Sequence, residues 1–472
     1  MVPSSVAPED PAAARGISRR TQSEIYRAGI SGTKPRVPVD AEALEAAARK
    51  ALSAEAFAYI AGGAGAERTV RANHAAFERW QVWPRPLRDV SVRDLSIDFL
   101  GVRRPTPFLL APLGVMEMAH DDADLAVARA AASLGVPCTL SNQASVAMEE
   151  VRDAAPTGSR MFQLYWPASD DLNASLLRRA EASGCEAIVV TLDTHLLGWR
   201  TRDLDLAYLP FTRGMGIAQY TSDPVFQELV RERVASAGSA TGGGGSATGG
   251  GSATGDGGSA TGGGGSATDA DAPPPVRLTP KAIAAGIKIA RKGAPLTGAG
   301  LRESLRSPLP RAAVETFLDV FSTPALTWGD LTKAREWTTL PIILKGIVHP
   351  DDAARALDAG VDGVWVSNHG GRQIDQSVPT LAALPGVVER IGGRVPVVFD
   401  SGVRQGADVF IALALGATVV AIGRPYAYGL GVAGEAGVRE VIRNLLAELD
   451  ITLGLSGHVA MTDVGPDALR EA

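Results

Sequence analysis

The chain has 472 residues, of which 45% are hydrophobic and 21% charged, as is ordinary for a soluble globular protein with a large core. A formal net charge of −6 argues against a nucleic-acid partner, which requires a basic face on the protein. Two cysteines, Cys138 and Cys185, are too few for a disulfide framework or a four-cysteine zinc site. No apolar run of about 18 residues and no secretory signal is present, so we expect a cytoplasmic protein without a membrane partner.

In chain order, residues 1–39 are predicted to form an N-terminal extension, and residues 40–472 are predicted to form one domain. Four short runs in the first half of this domain predict buried parallel strands, because they are continuously apolar rather than alternating. These runs are Thr106–Ala111, Val136–Ser141, Arg160–Tyr165 and Ala187–Asp193.

A low-complexity segment follows the fourth run. Residues 238–268 hold 15 of the 53 glycines, arranged around five Ser-Ala-Thr triplets. This Gly/Ser/Ala/Thr composition cannot offset the entropy of ordering, so disorder is predicted over residues 235–275. The segment could be a linker between domains, but four predicted strands precede it and four follow, which favours an insertion in one surface loop. It could modulate access to a site or be an expanded repeat.

Four further apolar runs follow the insertion, at Pro341–Gly346, Gly363–Asn368, Val395–Asp400 and Thr418–Gly423. Alanine-rich segments between the runs predict helices, since each ends just before a glycine, a common helix terminator. These segments are Asp121–Leu134, Asp170–Ser183, Asp351–Ala359 and Gln405–Leu415, followed by Gly135, Gly184, Gly360 and Gly416. Eight strand–helix units in one chain predict an α/β fold, the (β/α)8 TIM barrel, with a doubly wound open sheet as the alternative.

Polar residues collect at the predicted carboxyl ends of the strands, where the active site of such a barrel lies. They include Ser141, Gln163, Tyr165, Thr191, Asp193, Lys345, Ser367, His369, Asp400, Arg404 and Arg424. A histidine can titrate near neutral pH, and an arginine can bind a carboxylate through two hydrogen bonds. His369 and Arg372 therefore suit removal of a proton from a substrate that is held by its carboxylate.

The segment Ser367–Gln373 (SNHGGRQ) resembles the active-site signature of the FMN-dependent α-hydroxy-acid oxidase and dehydrogenase family. The likeness extends from about Asp40 to the C-terminus, interrupted by the glycine-rich insertion, and within the family it is closest to the lactate 2-monooxygenase branch. Further segments that carry it are Tyr59–Gly65 (YIAGGAG), Phe162–Pro167, Thr191–Asp203, Tyr220–Gln227, Leu344–Asp352, Phe399–Arg404 and Gly423–Tyr428.

The resemblance implies FMN as the cofactor and a role for each matching residue. His369 would be the base, Asp193 would raise its affinity for a proton, and Lys345 would stabilise negative charge on the reduced flavin. The substrate would be bound by Tyr59, Tyr165, Arg200, His369 and Arg372. The FMN contacts would come from Pro112, Leu113, Gly114, Ser141, Gln163, Thr191, Lys345, Ser367, Asp400, Ser401, Gly402, Arg404, Gly423 and Arg424.

The resemblance further implies that a homo-tetramer or homo-octamer oxidises a small L-2-hydroxy acid with O2. The favoured reaction converts L-lactate to acetate, carbon dioxide and water. The alternatives are an oxidase that releases the keto acid and hydrogen peroxide, a dehydrogenase with another electron acceptor, and a non-catalytic flavin-binding sensor. Gly114 bears on this choice, because it either leaves room for a retained keto acid or merely permits close backbone approach. Leu113, Gln143 and His195 border the expected pocket and leave the substrate size open.

Three other features receive structural interpretations. The segment Gly429–Gly434 (GLGVAG) matches a dinucleotide-binding pattern, but it follows the last predicted strand and no βαβ unit continues from it. His120 and His349 precede aspartates at the start of predicted helices, where capping by the aspartates is favoured over metal binding. Cys138 lies within a predicted strand and is expected to be a buried thiol.

Overall fold

The computed structural model describes residues 16–242, 279–298 and 300–472. The helices are α1 (Gly16–Ile30), α2 (Ala41–Ala51), α3 (Ala54–Ala61), α4 (Arg68–Glu78), α5 (Ala123–Ala132), α6 (Met148–Ala154), α7 (Asp170–Ala182), α8 (Thr201–Asp205), α9 (Ala218–Thr221), α10 (Pro224–Gly242), α11 (Pro280–Lys292), α12 (Ala294–Thr297), α13 (Leu301–Ser304), α14 (Leu309–Val320), α15 (Leu331–Trp337), α16 (Pro350–Asp358), α17 (Thr380–Ile391), α18 (Gly406–Ala414) and α19 (Arg424–Leu455). The strands are β1 (Trp80–Val82), β2 (Ile97–Phe99), β3 (Val102–Arg104), β4 (Phe108–Leu110), β5 (Cys138–Leu140), β6 (Arg160–Leu164), β7 (Ile188–Thr191), β8 (Ile342–Lys345), β9 (Gly363–Val366), β10 (Val397–Phe399), β11 (Val419–Ile422) and β12 (Leu469–Glu471).

Strands β4 to β11 close into a parallel barrel in chain order, and β11 pairs with β4 to complete it. They are the eight predicted strands, so the TIM barrel is confirmed and the open sheet is excluded. Every residue of these strands is buried. Burial on both faces explains why the runs are continuously apolar. The pairs β1–β12 and β2–β3 form two separate antiparallel sheets.

The four predicted helices form as α5, α7, α16 and α18, and the glycine after each has a left-handed backbone. The φ angle is +66° at Gly135, +71° at Gly184, +69° at Gly360 and +99° at Gly416. Residues with a Cβ rarely adopt this conformation, whereas glycine does so readily. Each of these glycines therefore ends its helix and turns the chain toward the next strand.

Histidines rather than aspartates accept the hydrogen bonds at the start of two helices, so the predicted capping by aspartate is wrong. At α16 the N-cap is His349, whose Nδ1 accepts from the backbone N–H of Asp351 at 3.1 Å. Before α5, Nδ1 of His120 accepts from the backbone N–H of Asp122 at the same distance. The Asp122 side chain makes no capping hydrogen bond.

The described part of the predicted N-terminal extension packs onto the barrel domain through α1 and α19. Ser18 donates to Asp450 Oδ2 from its backbone N–H at 3.1 Å and from its hydroxyl at 2.5 Å. Arg93 Nε lies 2.6 Å from Asp450 Oδ1. This buried carboxylate is therefore both paired with a cation and hydrogen-bonded, as burial of a charge requires. Residues 1–15 lie outside the described residues.

The predicted low-complexity segment, residues 235–275, lies outside the described residues from position 243 onward. Its first residues complete helix α10, which extends to Gly242. The described chain resumes at Thr279, immediately before α11. Since β7 precedes the segment and β8 follows it, the insertion lies between the fourth and fifth barrel strands, as predicted.

None of the described helices combines the length and apolarity that a bilayer crossing requires. Within the same residues, no group of three or more His, Cys, Asp or Glu side chains is placed to hold a metal ion. Cys138 and Cys185 are buried free thiols, as predicted for Cys138. Burial raises the pKa of Cys138 to about 11 and that of Cys185 to about 12, so neither is a reactive thiolate at neutral pH.

The glycines of the dinucleotide-like segment lie inside α19 and serve packing. An ideal Cβ on Gly429 would lie 2.7 Å from the carbonyl oxygen of Gly437, and one on Gly437 would lie 2.0 Å from that of Gly429. A Cβ on Gly431 would lie 2.6 Å from Leu52 Cδ2. At Gly434 the helix is broken by a φ of +59°. The segment therefore follows the last barrel strand as a packed helix, in agreement with setting the motif aside.

Replacement of Gly437 by alanine should lower the free energy of unfolding by about 1–3 kcal/mol, because the added methyl must displace the backbone near Gly429. Denaturation in urea measures the effect. The matched control is Gly286→Ala in α11, where nothing lies within 4 Å of the new Cβ and we expect a neutral change or a gain of about 0.5–1 kcal/mol. A Gly437→Ala protein as stable as the control would contradict this packing account.

Candidate active site

A cavity opens at the carboxyl end of the barrel. Each barrel strand contributes to its lining at or just after the strand's last residue. In chain order these contributions are Ala111, Gln143, Tyr165, Thr194, Lys345, His369, Asp400 and Gly423. Six of the eleven polar residues predicted to converge there line the cavity, namely Tyr165, Lys345, His369, Asp400, Arg404 and Arg424.

His369 and Asp193 form a close pair beside this cavity. Nδ1 of His369 lies 2.9 Å from Oδ1 of Asp193 and 3.1 Å from Oγ1 of Thr194. Thr194 also donates its hydroxyl to the same Asp193 oxygen at 2.9 Å. Because the carboxylate accepts from Nδ1–H, the imidazole presents Nε2 as the nitrogen that can accept a proton. His369 lines the cavity, so this basic atom belongs to the site.

Local hydrogen bonds hold His369 in an uncommon backbone conformation, with φ at +56°. Its backbone N–H donates to the Ser367 hydroxyl at 3.0 Å. The Asn368 side chain accepts from the backbone N–H of Gly371 at 3.1 Å. A left-handed residue with a side chain persists only where its surroundings fix it, and such residues are enriched at functional sites.

Buried charges at the strand ends set the protonation of this pair. Burial opposes ionisation of Asp193, but Lys345 and His369 outweigh it and hold the pKa of the carboxyl well below its usual range. Lys345 Nζ lies 3.3 Å from Asp193 Oδ2 and 3.9 Å from Asp400 Oδ2. Burial, Lys345 and Arg200 together lower the pKa of His369, although Asp193 acts in the opposite, predicted direction. The imidazole is therefore neutral at neutral pH.

Two arginines and two tyrosines line the same cavity as the histidine, and their contact with a substrate stays a prediction. Arg200, Arg372, Tyr59 and Tyr165 all line the cavity. Burial and the neighbouring Arg372 lower the pKa of Arg200 to about 10, since two like charges lie close together. The Arg372 guanidinium lies over the Tyr59 ring, 4.8 Å from its centroid, and donates to the carbonyls of Tyr59 and Gly62. Asp203 acts electrostatically on both arginines, but neither guanidinium forms an ion pair with a carboxylate of the described residues, so the two cations are suited to an anionic ligand.

The two phenol groups lack partners of their own within the described chain. Neither the Tyr59 nor the Tyr165 hydroxyl hydrogen-bonds to any described residue, and burial is the main cause that raises the pKa of each. The Tyr165 ring lies 6.3 Å from the His369 ring between centroids. Both hydroxyls are therefore protonated donors available to a ligand beside the base.

The other end of the cavity fits the phosphate of FMN. It is lined by Ser401, Gly402, Arg404, Gly423 and Arg424. Helix α19 starts there with Gly423 as an N-cap that has no side chain to accept its first N–H groups, and a Cβ at Gly423 would meet nothing within 4 Å. Pro425 has no N–H and the N–H of Tyr426 donates to the Gly423 carbonyl, so the Arg424 N–H is the donor left at this helix start. This N–H, the open space and the Arg404 cation form a site for a phosphate dianion. The donor set therefore fits the cofactor.

Arg424 lines the cavity and also hydrogen-bonds to the backbone of two neighbouring segments. Its guanidinium donates to the carbonyls of Ile60 at 3.1 Å, Gly370 at 3.0 Å and Gly62 at 2.9 Å. Burial and Arg404 lower its pKa to about 10. Arg424 thus ties the end of α3 to the loop that carries His369, although it also lines the cavity. Its contact with FMN stays a prediction.

Four residues predicted to contact FMN do not line the cavity, namely Ser141, Gln163, Thr191 and Ser367. Ser141 donates to Gln163 Oε1 and Gln163 Nε2 donates to Thr191 Oγ1, both at 2.9 Å. Lys345 donates to the Ser367 hydroxyl at 2.9 Å. These side chains are buried and support the strand ends from within, whereas Pro112, Leu113 and Gly114 line the cavity directly.

Several lining residues escape sequence reasoning. They are Ile60, Met116, Thr194, Leu197, Phe211, Phe321, Gly370, Val403 and Ala421. Phe211 and Phe321 come from the long connection between β7 and β8, and no local motif marks them. Thr194 follows Asp193 directly, so its adjacency to the motif residue is a usable signal. Of the three residues that border the expected pocket, Leu113 and Gln143 line the cavity, whereas His195 is exposed.

The position of Gly114 bears on the two interpretations of this glycine. An ideal Cβ there would lie 2.9 Å from Gln143 Cβ and 3.1 Å from the Gln143 carbonyl oxygen. The missing side chain thus allows the turn after β4 to pack closely against the turn after β5. This observation favours close backbone approach over extra room for a ligand.

Comparisons with known proteins agree with this geometry. Residues 48–471 match the family described as FMN-dependent dehydrogenase. The chain is 34% identical to L-lactate oxidase of Lysinibacillus sphaericus (strain C3-41), over 94% of this chain and 96% of the relative. It is 36% identical to an FMN-dependent alpha-hydroxy acid dehydrogenase of Penicillium citrinum, over 95% of each.

Solved structures are similar as well. The crystal structure of mandelate oxidase with (S)-4-hydroxymandelic acid has a TM-score of 0.69 and 31% identity, over 92% of this chain and 99% of that one. A second structure of mandelate oxidase has a TM-score of 0.67 at the same identity and coverage. The chain belongs to the FMN-dependent α-hydroxy-acid oxidase and dehydrogenase family, with FMN as its cofactor and α-hydroxy-acid oxidation as its activity.

Proposed function

We propose that the protein oxidises L-lactate, or an L-2-hydroxy acid of similar size, with oxygen, and that it follows the lactate 2-monooxygenase course. In that course lactate and O2 yield acetate, carbon dioxide and water. The observation that carries the oxidation is the His369–Asp193 pair, whose basic nitrogen belongs to a cavity that also contains Arg200 and Arg372. An arginine pair for the carboxylate and a base for the proton are the groups that a 2-hydroxy acid requires.

Binding depends on the cations and phenols of the cavity. The carboxylate of the substrate binds Arg200 and Arg372, which relieves the repulsion between the buried guanidinium of Arg200 and the half-buried one of Arg372. Tyr59 and Tyr165 donate hydrogen bonds to the carboxylate and the hydroxyl. Together these contacts fix the carbon that carries the hydroxyl beside His369, and orientation of this kind is a large part of catalysis.

Proton transfer then depends on His369 and Asp193. Nε2 of His369 takes a proton from the substrate, and the positive imidazolium is stabilised by the carboxylate 2.9 Å from Nδ1. Lys345 supplies a fixed positive charge beside the same carboxylate, at 3.3 Å. The chemistry that FMN supplies when bound is to accept two electrons from the substrate and pass them to oxygen. Arg404 and the start of α19 hold its phosphate in this proposal.

The fate of the products separates two outcomes. In the monooxygenase course, pyruvate stays in the cavity and hydrogen peroxide decarboxylates it, which gives acetate, carbon dioxide and water. In the oxidase course, pyruvate and peroxide leave separately. The oxidase course is the second candidate, and the close packing of Gly114 against Gln143 supports it. This packing leaves no extra space beside the glycine for a retained keto acid.

Product analysis tests the proposal. Purified FMN-loaded protein mixed with L-lactate in air should yield acetate and little free peroxide, because pyruvate is consumed before it leaves. Acetate, pyruvate and peroxide are quantified in the same sample. Pyruvate with an equal amount of peroxide would establish the oxidase course, and absence of any oxidised product would reject lactate as the substrate.

Replacement of His369 by glutamine should slow anaerobic bleaching of the flavin by L-lactate by about a hundredfold or more, because the proton acceptor is lost. Stopped-flow absorbance measures the rate. His195→Gln is the matched control, since this exposed histidine lies outside the cavity lining and should leave the rate unchanged. Rapid bleaching by the His369→Gln protein would refute the role of the base.

Only the neutral imidazole of His369 can accept a proton, so kcat/KM should decrease when this group is protonated at acid pH. Burial, Lys345 and Arg200 lower the pKa of His369, so the decrease should occur below about pH 6.5. In Asp193→Asn the carboxylate that raises this pKa is absent, so the acid limb should move to lower pH while kcat also falls. Initial rates between pH 4.5 and 9 measure both changes. An acid limb that moves to higher pH in Asp193→Asn would contradict the electrostatic assignment.

Gly114→Ala should lower both stability and kcat/KM, because its methyl would lie 2.9 Å from Gln143 Cβ. The double variant Gly114→Ala with Gln143→Gly removes that clashing carbon and should recover part of the stability loss. Denaturation and the peroxide released per lactate are measured on both proteins. A stable Gly114→Ala protein that releases more peroxide than wild type would restore the interpretation that this glycine provides room for the keto acid.

A further inference from the structure

Gln373 joins the two loops that carry the base and the substrate-binding cations. It follows Arg372 in the loop after β9. Its Nε2 donates to the carbonyl oxygen of Asp193 at 3.1 Å and to that of Leu196 at 2.8 Å. Its Oε1 accepts from Nη2 of Arg200 at 2.9 Å. One side chain thus spans from the segment that positions Asp193 to the guanidinium of Arg200.

The backbones of the two loops are in direct contact at the same place. An ideal Cβ on Gly198 would lie 2.4 Å from the carbonyl oxygen of Arg372 and 2.8 Å from Gln373 Cα. A glycine at position 198 is therefore required for the loops to approach. Arg200 Nε adds a long contact of 3.4 Å to the same Arg372 carbonyl. The glutamine is thus the principal side-chain contact that fixes Arg200 within the described chain.

The side-chain acceptor that holds Arg200 is an uncharged amide, so it leaves the positive charge of the guanidinium in place. A carboxylate at the same place would orient the guanidinium but would also neutralise it, and it would compete with an anionic ligand. The amide oxygen of Gln373 orients the group and leaves its full charge. Nη1 of Arg200 makes no hydrogen bond to any described residue, and Arg200 lines the cavity.

We propose that Gln373 is a positioning residue that orients Arg200 toward the substrate carboxylate without neutralising it and that fixes the loop bearing Asp193 at the same time. The inference rests on the proposed function, since it assigns the anion bound by Arg200 to the substrate. Gln373 itself is absent from the cavity lining, so it acts through the groups that it holds.

The test uses the FMN-loaded protein and propionate, which has the size and charge of lactate but lacks the hydroxyl that is oxidised. The dissociation constant is measured from the change in flavin absorbance. Gln373→Met keeps the length of the side chain and removes all three hydrogen bonds. Gln376→Met, at an exposed position three residues further along the loop, is the matched control.

Gln373→Met should weaken propionate binding by about tenfold, the effect of losing a hydrogen bond to a charged group, and should raise KM for lactate more than it lowers kcat. The control should bind propionate as wild type does. Flavin content and thermal unfolding establish that both variants are folded. A wild-type dissociation constant in folded Gln373→Met would overturn the proposal, even if the enzyme oxidises lactate.

Gln373→Glu tests whether the neutrality of the side chain matters for propionate binding. A residue that only maintained the fold would not give the result expected here. The glutamate carboxylate should neutralise Arg200 near pH 7 and weaken propionate binding further than methionine does. Arg200 favours the ionised form of a carboxylate at this position, so the difference between the two variants at pH 7 measures the added negative charge. Equal dissociation constants for folded Gln373→Glu and folded Gln373→Met would overturn the role of charge neutrality.

The outcomes also separate this proposal from the proposed function. If wild type binds propionate but does not oxidise lactate, the lactate assignment fails while the dissociation constants still decide the role of Gln373. If wild type binds no propionate, the arginine pair is not a site for small carboxylates and both proposals fail.

Discussion

The pairing of ionisable groups at the carboxyl ends of adjacent strands is the constraint on which the site depends. Lys345 ends β8, and Asp193, His369 and Asp400 follow β7, β9 and β10. Lys345 pairs with both carboxylates, and the neutral imidazole of His369 hydrogen-bonds to Asp193. An unpaired charge in such surroundings costs several kcal/mol, whereas a paired and hydrogen-bonded one is tolerated. The pairing also depends on strand register, because a slip of one residue would turn each side chain to the opposite face of the barrel wall. The same register that closes the barrel therefore assembles the base and its partner.

Arg200 and Arg372 differ from these paired groups, because they carry like charges that repel each other. Arg200 and Arg372 are close, and Arg200 is buried without a carboxylate bonded to its guanidinium, as the lowering of its pKa to about 10 by burial and by Arg372 reflects. Neutral acceptors, the Arg372 carbonyl and the amide of Gln373, accept from Nε and Nη2 of Arg200, whereas Nη1 has no hydrogen bond within the described chain. In the proposed function the substrate carboxylate supplies the missing acceptor and the negative charge. Excess positive charge together with a free donor thus favours an anionic ligand.

Much of the fold was accessible from sequence because it depends on local pattern. Continuously apolar runs mark strands that are buried on both faces, and glycines such as Gly135 and Gly416 mark helix ends through their left-handed backbones. The polar strand ends followed from the barrel rule. The features that the sequence does not predict depend on contacts between residues that are distant in the chain. Phe211 and Phe321 reach the cavity from a long connection without a motif, and the neighbour of Gly114 is Gln143, on the next loop rather than in the same segment.

Opposing influences on His369 account for how the site can hold a neutral base and still stabilise its charged form. Burial disfavours the imidazolium, and so do the positive charges of Lys345 and Arg200, whereas Asp193 favours it. Asp193 can do so because Lys345 and His369 keep it ionised against its own burial. In the proposed function the substrate carboxylate binds Arg200 and offsets one of the charges that repel the imidazolium. Binding of the substrate anion would then raise the proton affinity of His369 at the step in which it accepts a proton.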